Sequence, residues 1–534
     1  MKDDMLQKSQ KKTIILISFF SLLGGLFLLT CTNFNGVGMS PDSAQYIAAA
    51  KSLVEGKGFL DITGKPIVSW PPFFSVLMAF FHFLGMDYLS VFSLINVLSF
   101  IIIIFTSSMW LLKISNSAVV ATINALLVIF AKPLFHVHSN AWSEPFFIAE
   151  ICIFMLVLGY CKEEFDWRLI LLAIVTSIAT LTRYPGVVLV PIGCFYIFFK
   201  IKGTYIGKIV RASLWGFVTS IPLLIWIMRN YLLTKTFTGE RLEASLTLSH
   251  NLELTGKAIN YWFLPLYPAQ LLSGWFVFIL LLFLILSFGL FLAYKFFIYK
   301  KKPFDFSLTC QILFIFLYGY MIISSCTKIV LSPLSDRYLS PLFIPLLSIF
   351  MYFLYISMRM KTNIGKNQKE PSCQFVSIII IALFLGVWLS SEANIVIAQA
   401  YSSYHQGFDG YNKSSFRNSQ AFAWVKEMKL KGKFFSNESP PFFIWTYYEC
   451  EVSPQKYMKE GGTPETTRKI NENSIKNLLD SFKENEHVYL VWHLPNIRKN
   501  FYEPDELRSF CNMKLLAEFS DGLVYELFSL ENLN

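Results

Sequence analysis

YLSVFSLINVLSFIIIIFTSSMWLL, residues 88–112, runs from end to end without a charged side chain. A helix rises about 1.5 Å per residue, so such a run reaches across the roughly 30 Å hydrocarbon core of a bilayer. It is apolar on every side and offers no polar face to water. Working outward, similar runs recur along the chain, and about eleven spans emerge on this criterion. They are 13–31, 88–112, 117–135, 144–161, 168–183, 185–200, 209–228, 271–294, 307–326, 339–358 and 374–393. The pair 168–183 and 185–200 is short and is broken by Pro185 and Gly186. The reading is a polytopic α-helical membrane protein.

Composition agrees. Of 534 residues, 54% are hydrophobic and 15% charged, against about 25% charged in soluble domains. Aromatics reach 17%, as suits lipid-facing and interfacial helices. The net charge of +10 resides in short loops between apolar runs, where the positive-inside rule accounts for it without nucleic acid. Nine Cys are scattered with no CxxC and no zinc-like spacing. Cys152, Cys194 and Cys310 sit in apolar runs as small core residues. A disulfide between Cys450 and Cys511 stays open. The run 13–31 follows Lys8, Lys11 and Lys12, is long for a signal-peptide core and lacks a small-x-small site, so it reads as an uncleaved anchor.

Lys and Arg placement sets the orientation. With the N-terminus cytoplasmic, the inner loops hold Lys113, then Lys162 and Arg168, Lys200 to Arg211, Lys295 to Lys302, and Arg359 to Lys369. The long loops 32–87 and 229–270, the short loop 327–338 and the tail then lie outside. Few charges fall within the spans. The chain divides into a membrane domain, 1–393, and a small extracytoplasmic α/β domain, 394–534, richer in Lys, Glu, Asn and Ser. In that tail Ser419–Lys429 reads as a helix, and His487–Trp492 and Leu523–Leu527 as strands. Its His487 and His493 read as structural. Asn412 and Asn437 begin chance-level glycosylation sequons.

The first external loop is the unusual part. Ser40-Pro41-Asp42-Ser43 combines an N-cap with Pro at the first helical position. Tyr46, Ile47, Ala50, Leu53 and Val54 follow at helical spacing, and Gly56 and Gly58 end the pattern. This predicts an amphipathic helix on the outer membrane surface. Trp70-Pro71-Pro72-Phe73-Phe74 starts a second, over 73–85, and the two frame a groove at the bilayer boundary. Asp42 falls in the first turn, where an acid complements the helix dipole without needing any further role.

The run Ser40 to Tyr46, with Ala49, Leu53 and Gly56-Lys57-Gly58, resembles the first periplasmic loop of type-C (GT-C) glycosyltransferases. More narrowly it is similar to the family 39-like group that holds protein O-mannosyltransferases and the lipid A aminoarabinose transferase. Trp-Pro-Pro-Phe-Phe, Ser143-Glu144-Pro145, Thr182-Arg183-Tyr184, Arg229-Asn230 and Asp336-Arg337-Tyr338-Leu339 follow in that group's order, over roughly the first 360 residues. Several members carry an Asp-Glu pair where this chain has Asp42-Ser43. That departure leaves a divalent metal, and the nature of the acceptor, open.

The resemblance implies transfer of a sugar from a polyprenyl-phosphate donor, drawn from the lipid bilayer, to an acceptor outside the cytoplasm. The acceptor is a lipid, polysaccharide or protein of the cell envelope, and the membrane is the bacterial cytoplasmic one. It implies Asp42 as the base that takes the acceptor's proton, in a single displacement that inverts the anomeric centre. No cofactor is certain. Arg337 is implied as the phosphate clamp, through paired hydrogen bonds, with Tyr338, Arg183 and Arg241 beside it. Snorkelling to headgroups is the competing account of these arginines. Tyr46, Glu144 and His138 are further site residues by position. Glu144 reads equally as a functional acid at membrane depth or as a helix-start acid, whereas His136 and His138, which could be metal ligands but have no clear acidic partner, are expected to be ordinary interfacial histidines. Two rival functions remain: a flippase or transporter of lipid-linked sugar, expected to place broken helices and polar groups deep in several spans, and a non-catalytic scaffold that tolerates loss of Asp42.

Overall fold

The computed structural model describes residues 2–33, 35–241, 244, 246–263, 272–299, 305–329, 334–364, 371–408, 410–458, 469–470, 472–496, 498 and 500–530. The membrane part is a bundle built on α1 (Lys2–Asn33), which packs along α4 (Tyr88–Ser115). Between them lie α2 (Pro41–Val54) and α3 (Phe73–Phe83). There follow α5 (Ala118–Ile129), α6 (Lys132–His138), α7 (Glu144–Tyr160), α8 (Trp167–Thr182), a 3-10 turn Tyr184–Val188, α9 (Leu189–Lys200), α10 (Tyr205–Thr234) and α11 (Leu248–Phe263). The bundle closes with α12 (Gly274–Tyr299), α13 (Phe306–Lys328), α14 (Asp336–Leu339), α15 (Phe343–Ile364) and α16 (Pro371–Gln406).

The chain is a multi-pass integral membrane protein, and the count of about eleven spans is not confirmed by helix length and composition. Among the described residues, six helices are long and apolar enough to cross alone. A seventh crossing arises if α5 and α6, bent by 52° at their junction, act as one broken span. The expected span 117–135 is that broken pair, and Pro133 at the start of α6 prevents continuation. The expected pair 168–183 and 185–200 stays short. Pro185 turns the backbone there, and Gly186 packs so closely on the Ala179 carbonyl that a Cβ would strike it. Helices this short persist because neighbours cover them: Phe147, Phe154, Leu172 and Ile192 are fully or almost fully buried in one apolar core. Lys132, Glu150 and Glu392 lie buried in the bundle, more deep charge than the sequence reading allowed for.

The first loop folds as the capping signals require. Ser40 is extended at φ −133°, its N–H donates to Ser43 Oγ at 3.0 Å, and Pro41 opens α2. Gly56 at φ +74° ends it in the left-handed region. The surface position expected for α2 is not observed. Ala44, Tyr46 and Ile47 share a core with Phe74 and Met78 of α3 and with Phe443 and Ile444 from the C-terminal region. The two loop helices pack directly on each other, Tyr46 edge-on to Phe74 at 4.9 Å, instead of framing a groove between them. Only α3 keeps a lipid-like face, with Phe80 54% and Phe83 79% exposed.

The C-terminal region contains α17 (Ser414–Arg417), α18 (Gln420–Glu427), β1 (Lys433–Ser436), α19 (Ser439–Thr446), β2 (Cys450–Val452), β3 (Tyr457–Met458), β4 (Lys469–Ile470), α20 (Glu472–Glu484), β5 (Val488–His493), α21 (Pro504–Leu507), β6 (Asn512–Phe519) and β7 (Gly522–Phe528). The five-stranded sheet runs β2-β1-β5-β7-β6, with β2, β1 and β5 parallel and the hairpin β6–β7 antiparallel. The helix and both strands expected there are present. Cys450 and Cys511 are free thiols in separate cores, so the disulfide left open does not form. Asn412 and Asn437 are buried in hydrogen bonds, which removes both sequons from the surface.

This region is fastened to the first loop. Tyr411 N–H donates to Met39 O at 3.0 Å, and Asn412 Nδ2 to Val37 O at 2.9 Å. Cys450 N–H donates to Ile62 O at 2.8 Å, and Lys65 pairs with Glu451 at 2.9 Å.

Candidate functional site

Three chain breaks meet where the loop joins the bundle: the start of α2, the start of α7, and the end of α8. Gly38 bridges the segment before α7, donating to Ser139 O at 2.9 Å and accepting from Ala141 N–H at 2.8 Å. Ser43 Oγ donates to Ala141 O at 2.8 Å. Trp142 Nε1 donates to Ser40 Oγ at 2.9 Å. The first turn of α2 is thereby set against Trp142-Ser143-Glu144.

Glu144 opens α7, where the helix dipole favours an anion. It is wholly buried, and its Oε1 lies 2.7 Å from an Arg183 nitrogen and 2.5 Å from Arg337 Nε. Arg337, on α14, also donates through its NH2 group to Asp42 Oδ2 and to Glu144 Oε2, the latter at 3.4 Å. Its guanidinium lies over the Trp142 ring at 4.3 Å and near Tyr338 at 5.6 Å. Two carboxylates and two guanidinium groups thus balance in a confined place. Glu144 is a helix-start acid, and it is buried in the cluster.

Tyr46 is buried with its hydroxyl 2.9 Å from Ser143 Oγ, which also accepts from Arg183 at 3.0 Å. Burial, reinforced by the nearby Asp42 charge, holds the Tyr46 phenol well above its ordinary pKa, so it stays neutral. Arg183 stands where α8 stops ahead of Pro185. Asp42 keeps 23% of its side chain exposed, whereas Arg183 and Arg337 keep 13% each. Asp42 is thus the most accessible member.

The structure brings Asp42, Tyr46, Glu144, Arg183 and Arg337 together, with Tyr338 at the edge, its carbonyl held by Tyr318 OH at 2.9 Å. It places two residues elsewhere. Arg241 donates to Ser69 O at 3.0 Å. It belongs to a set that receives the carbonyls of 67–69, with Arg229 on Ile67 O at 2.7 Å and Tyr184 OH on Val68 O at 2.9 Å. Those three carbonyls lie just before Trp70-Pro71-Pro72, so unpaired backbone acceptors draw these donors. His138 is buried under α4, its Nδ1 2.7 Å from Leu134 O and its ring 4.9 Å from Phe100; it does not join the cluster. The sequence marks Ser40 only as an N-cap and Ser143 only as part of a motif, and it does not single out Trp142 or Tyr318. Trp142 could have been found, because it precedes Ser143-Glu144-Pro145 at a helix start. Tyr318 gives no sequence signal within its apolar run. Among the described residues, no three His, Cys, Asp or Glu side chains gather into a metal-binding set.

This arrangement, a bundle with a folded first loop and a C-terminal sheet region, is similar in fold to ArnT. The chain superposes on the crystal structure of ArnT from Cupriavidus metallidurans in the apo state with a TM-score of 0.56 at 13% identity, over 97% of this chain and 98% of that one. ArnT is an aminoarabinose transferase. The same protein bound to undecaprenyl phosphate gives 0.56 at 14% identity, over 95% and 97%. The Archaeoglobus fulgidus oligosaccharyltransferase in the apo form gives 0.48 at 12% identity, over 89% and 69%. No family model and no curated protein matches the sequence.

Proposed function

We propose that the chain is a membrane glycosyltransferase that moves a sugar from a polyprenyl-phosphate donor to a hydroxyl acceptor on the extracytoplasmic side. The observation that carries this reading is Arg337 held between Asp42 and Glu144. Donor phosphate oxygens compete for that guanidinium, which grips phosphate as it grips carboxylate. Glu144 and Trp142 keep Arg337 in place when Asp42 is released. Asp42 then accepts the acceptor's proton while the acceptor oxygen bonds to the anomeric carbon. The C–O bond to phosphate breaks, and its electron pair leaves on the phosphate, facing Arg337 and Arg183. A single displacement of this kind inverts the anomeric centre. The leaving group is already an anion, so it needs positive charge more than a proton.

In this reading the N-terminus is cytoplasmic, the membrane is the bacterial cytoplasmic membrane, and the region that follows α16 lies outside as a second domain. Its bonds to Val37, Met39 and Ile62 make it a support for the Asp42 loop. The acceptor is a lipid, polysaccharide or protein of the envelope. Arg183 and Tyr338 attend the donor phosphate, while Arg241 acts on the loop.

The test is transfer by purified protein in detergent, supplied with polyprenyl-phosphate hexose or pentose, comparing wild type with Asp42→Asn. Loss of turnover in the variant is expected. Equal turnover removes Asp42 from the mechanism, and flipping of the lipid without transfer would favour the transporter.

A further inference from the structure

A second polar cluster lies beside this site, and the mechanism above does not use it. Where α5 gives way to α6, the chain bends by 52° and Lys132 begins the new helix. Its backbone N–H, unpaired by the break, donates to Glu392 Oε2 at 2.8 Å. Glu392 is wholly buried, and its Oε1 has no hydrogen-bond partner among the described residues. The Lys132 side chain is 6% exposed. Its Nζ sits 3.1 Å from the centroid of the Tyr261 ring, with no carboxylate in ion-pair range among the described residues. The third member is Asp336, on which Lys132 and His136 are the acting positive groups and beside which lies the Trp262 indole. The His136 ring is 5.6 Å from Trp142, which carries Arg337.

Pinning α16 to α6 explains the Glu392 cap. It leaves one buried carboxylate oxygen with no hydrogen-bond partner among the described residues, which costs free energy, and an ammonium that faces an aromatic ring. Irregular backbone at membrane depth is tolerated where it is covered by protein or lines a cavity, and ionisable groups there mark functional sites. The cluster holds two carboxylates to one lysine, which disfavours a phosphate and suits hydroxyl groups. A sugar hydroxyl can donate to Glu392 or Asp336 and accept from Lys132 Nζ, with the aromatic faces of Tyr261 and Trp262 against its C–H groups. Asp336 is also the residue next to Arg337, and sugar and phosphate are joined through one oxygen.

We propose that Lys132, Asp336 and Glu392 form the subsite for the sugar ring of the donor, an inference that rests on the glycosyltransferase reading. The experiment measures binding, not turnover, by full-length protein in detergent. The probes are undecaprenyl phosphate and the same lipid carrying a hexose or a pentose. Wild type binds at least one glycosylated lipid about tenfold more tightly than the bare phosphate, as expected of one or two hydrogen bonds to charged groups. Lys132→Met and Glu392→Gln bring that ratio towards one and leave affinity for the bare phosphate within about twofold. Lys132→Met keeps the backbone N–H on Glu392, so it remains informative if Glu392→Gln misfolds. An unchanged ratio in Lys132→Met, or equal loss for both lipids, overturns the subsite. So does a wild type that does not distinguish sugar-bearing from bare lipid. If wild type binds none of the lipid phosphates, the donor class itself is wrong and the subsite falls with it.

Discussion

Arg337 and Glu144 meet side-on, with Nε 2.5 Å from Oε1 and the NH2 group 3.4 Å from Oε2. The pair is almost out of contact with water, so its members depend on each other. Arg337→Ala leaves Glu144 relying on Arg183 alone. Stranding a buried charge costs about 3–5 kcal/mol; with Arg183 still present, the lower end is expected as a fall in thermal stability. Apparent donor affinity should weaken at least tenfold. Replacing both, as Arg337→Met with Glu144→Leu, strands Arg183 in turn, so the double variant should stay destabilised and inactive. If the single variant keeps its dependence on donor concentration, Arg337 is a structural residue.

Asp42 differs in being partly exposed and bound only through Arg337 among the pairs described. Asp42→Asn should therefore cost little stability and lower turnover about 10²–10⁴-fold, the usual range for a lost general base. Steady-state kinetics beside a melting curve checks both halves of the expectation.

Arg229 and Arg241 touch backbone carbonyls of residues 67–69, not the Asp42 cluster. Arg229→Ala frees a partly buried acceptor and should cost about 1–3 kcal/mol. Turnover at saturating donor should fall less than in Asp42→Asn. A loss as large as that of Asp42→Asn would place Arg229 in the chemistry.

Asn412 links the C-terminal region to the segment before Ser40 through Val37 O. Asn412→Ala should loosen the first loop, seen as faster amide hydrogen exchange over residues 36–46 with exchange in α8 unchanged. Uniform acceleration throughout would mean global destabilisation instead.

His493 is buried against Phe416 and Phe422. Burial lowers its pKa below the usual 6.5, outweighing the Ser415 carbonyl and Asp521. The unfolded chain therefore binds this proton more readily than the folded one. Its contribution is full above about pH 6.5 and falls as pH drops towards the folded pKa. Melting temperatures between pH 7.5 and pH 5 should decline more in wild type than in His493→Gln. Parallel decline in the two proteins would assign the effect to other groups.

Much of the site was legible locally. Ser40-Pro41 starts a helix because a hydroxyl N-cap and a fixed φ both favour it, and Gly56 stops it. Pro185 announces its break in the sequence, while Pro133 also forbids a continuous helix and the apolar pattern hides that break. Hydropathy counts residues and does not register a 52° bend. A single span over 117–135 is therefore too simple, whereas the pair 168–183 and 185–200 does break at Pro185. Lys132 and Glu392 were missed because each is a lone charge in an apolar run, and their meeting depends on α16 returning beside α6.

Residue chemistry along the chain already places it in a bilayer, marks many of the helix starts and stops, and puts Asp42, Glu144 and Arg183 at helix ends. Those properties are local, set by side-chain transfer energies and by capping within one turn. Only the tertiary structure decided that Asp42, Glu144, Arg183 and Arg337 share one ion-pair network, that Arg241 and His138 stand apart from it, and that α2 is buried beneath the C-terminal region. Contacts between residues 42, 144 and 337 arise from helix packing over long separations, which no local pattern encodes.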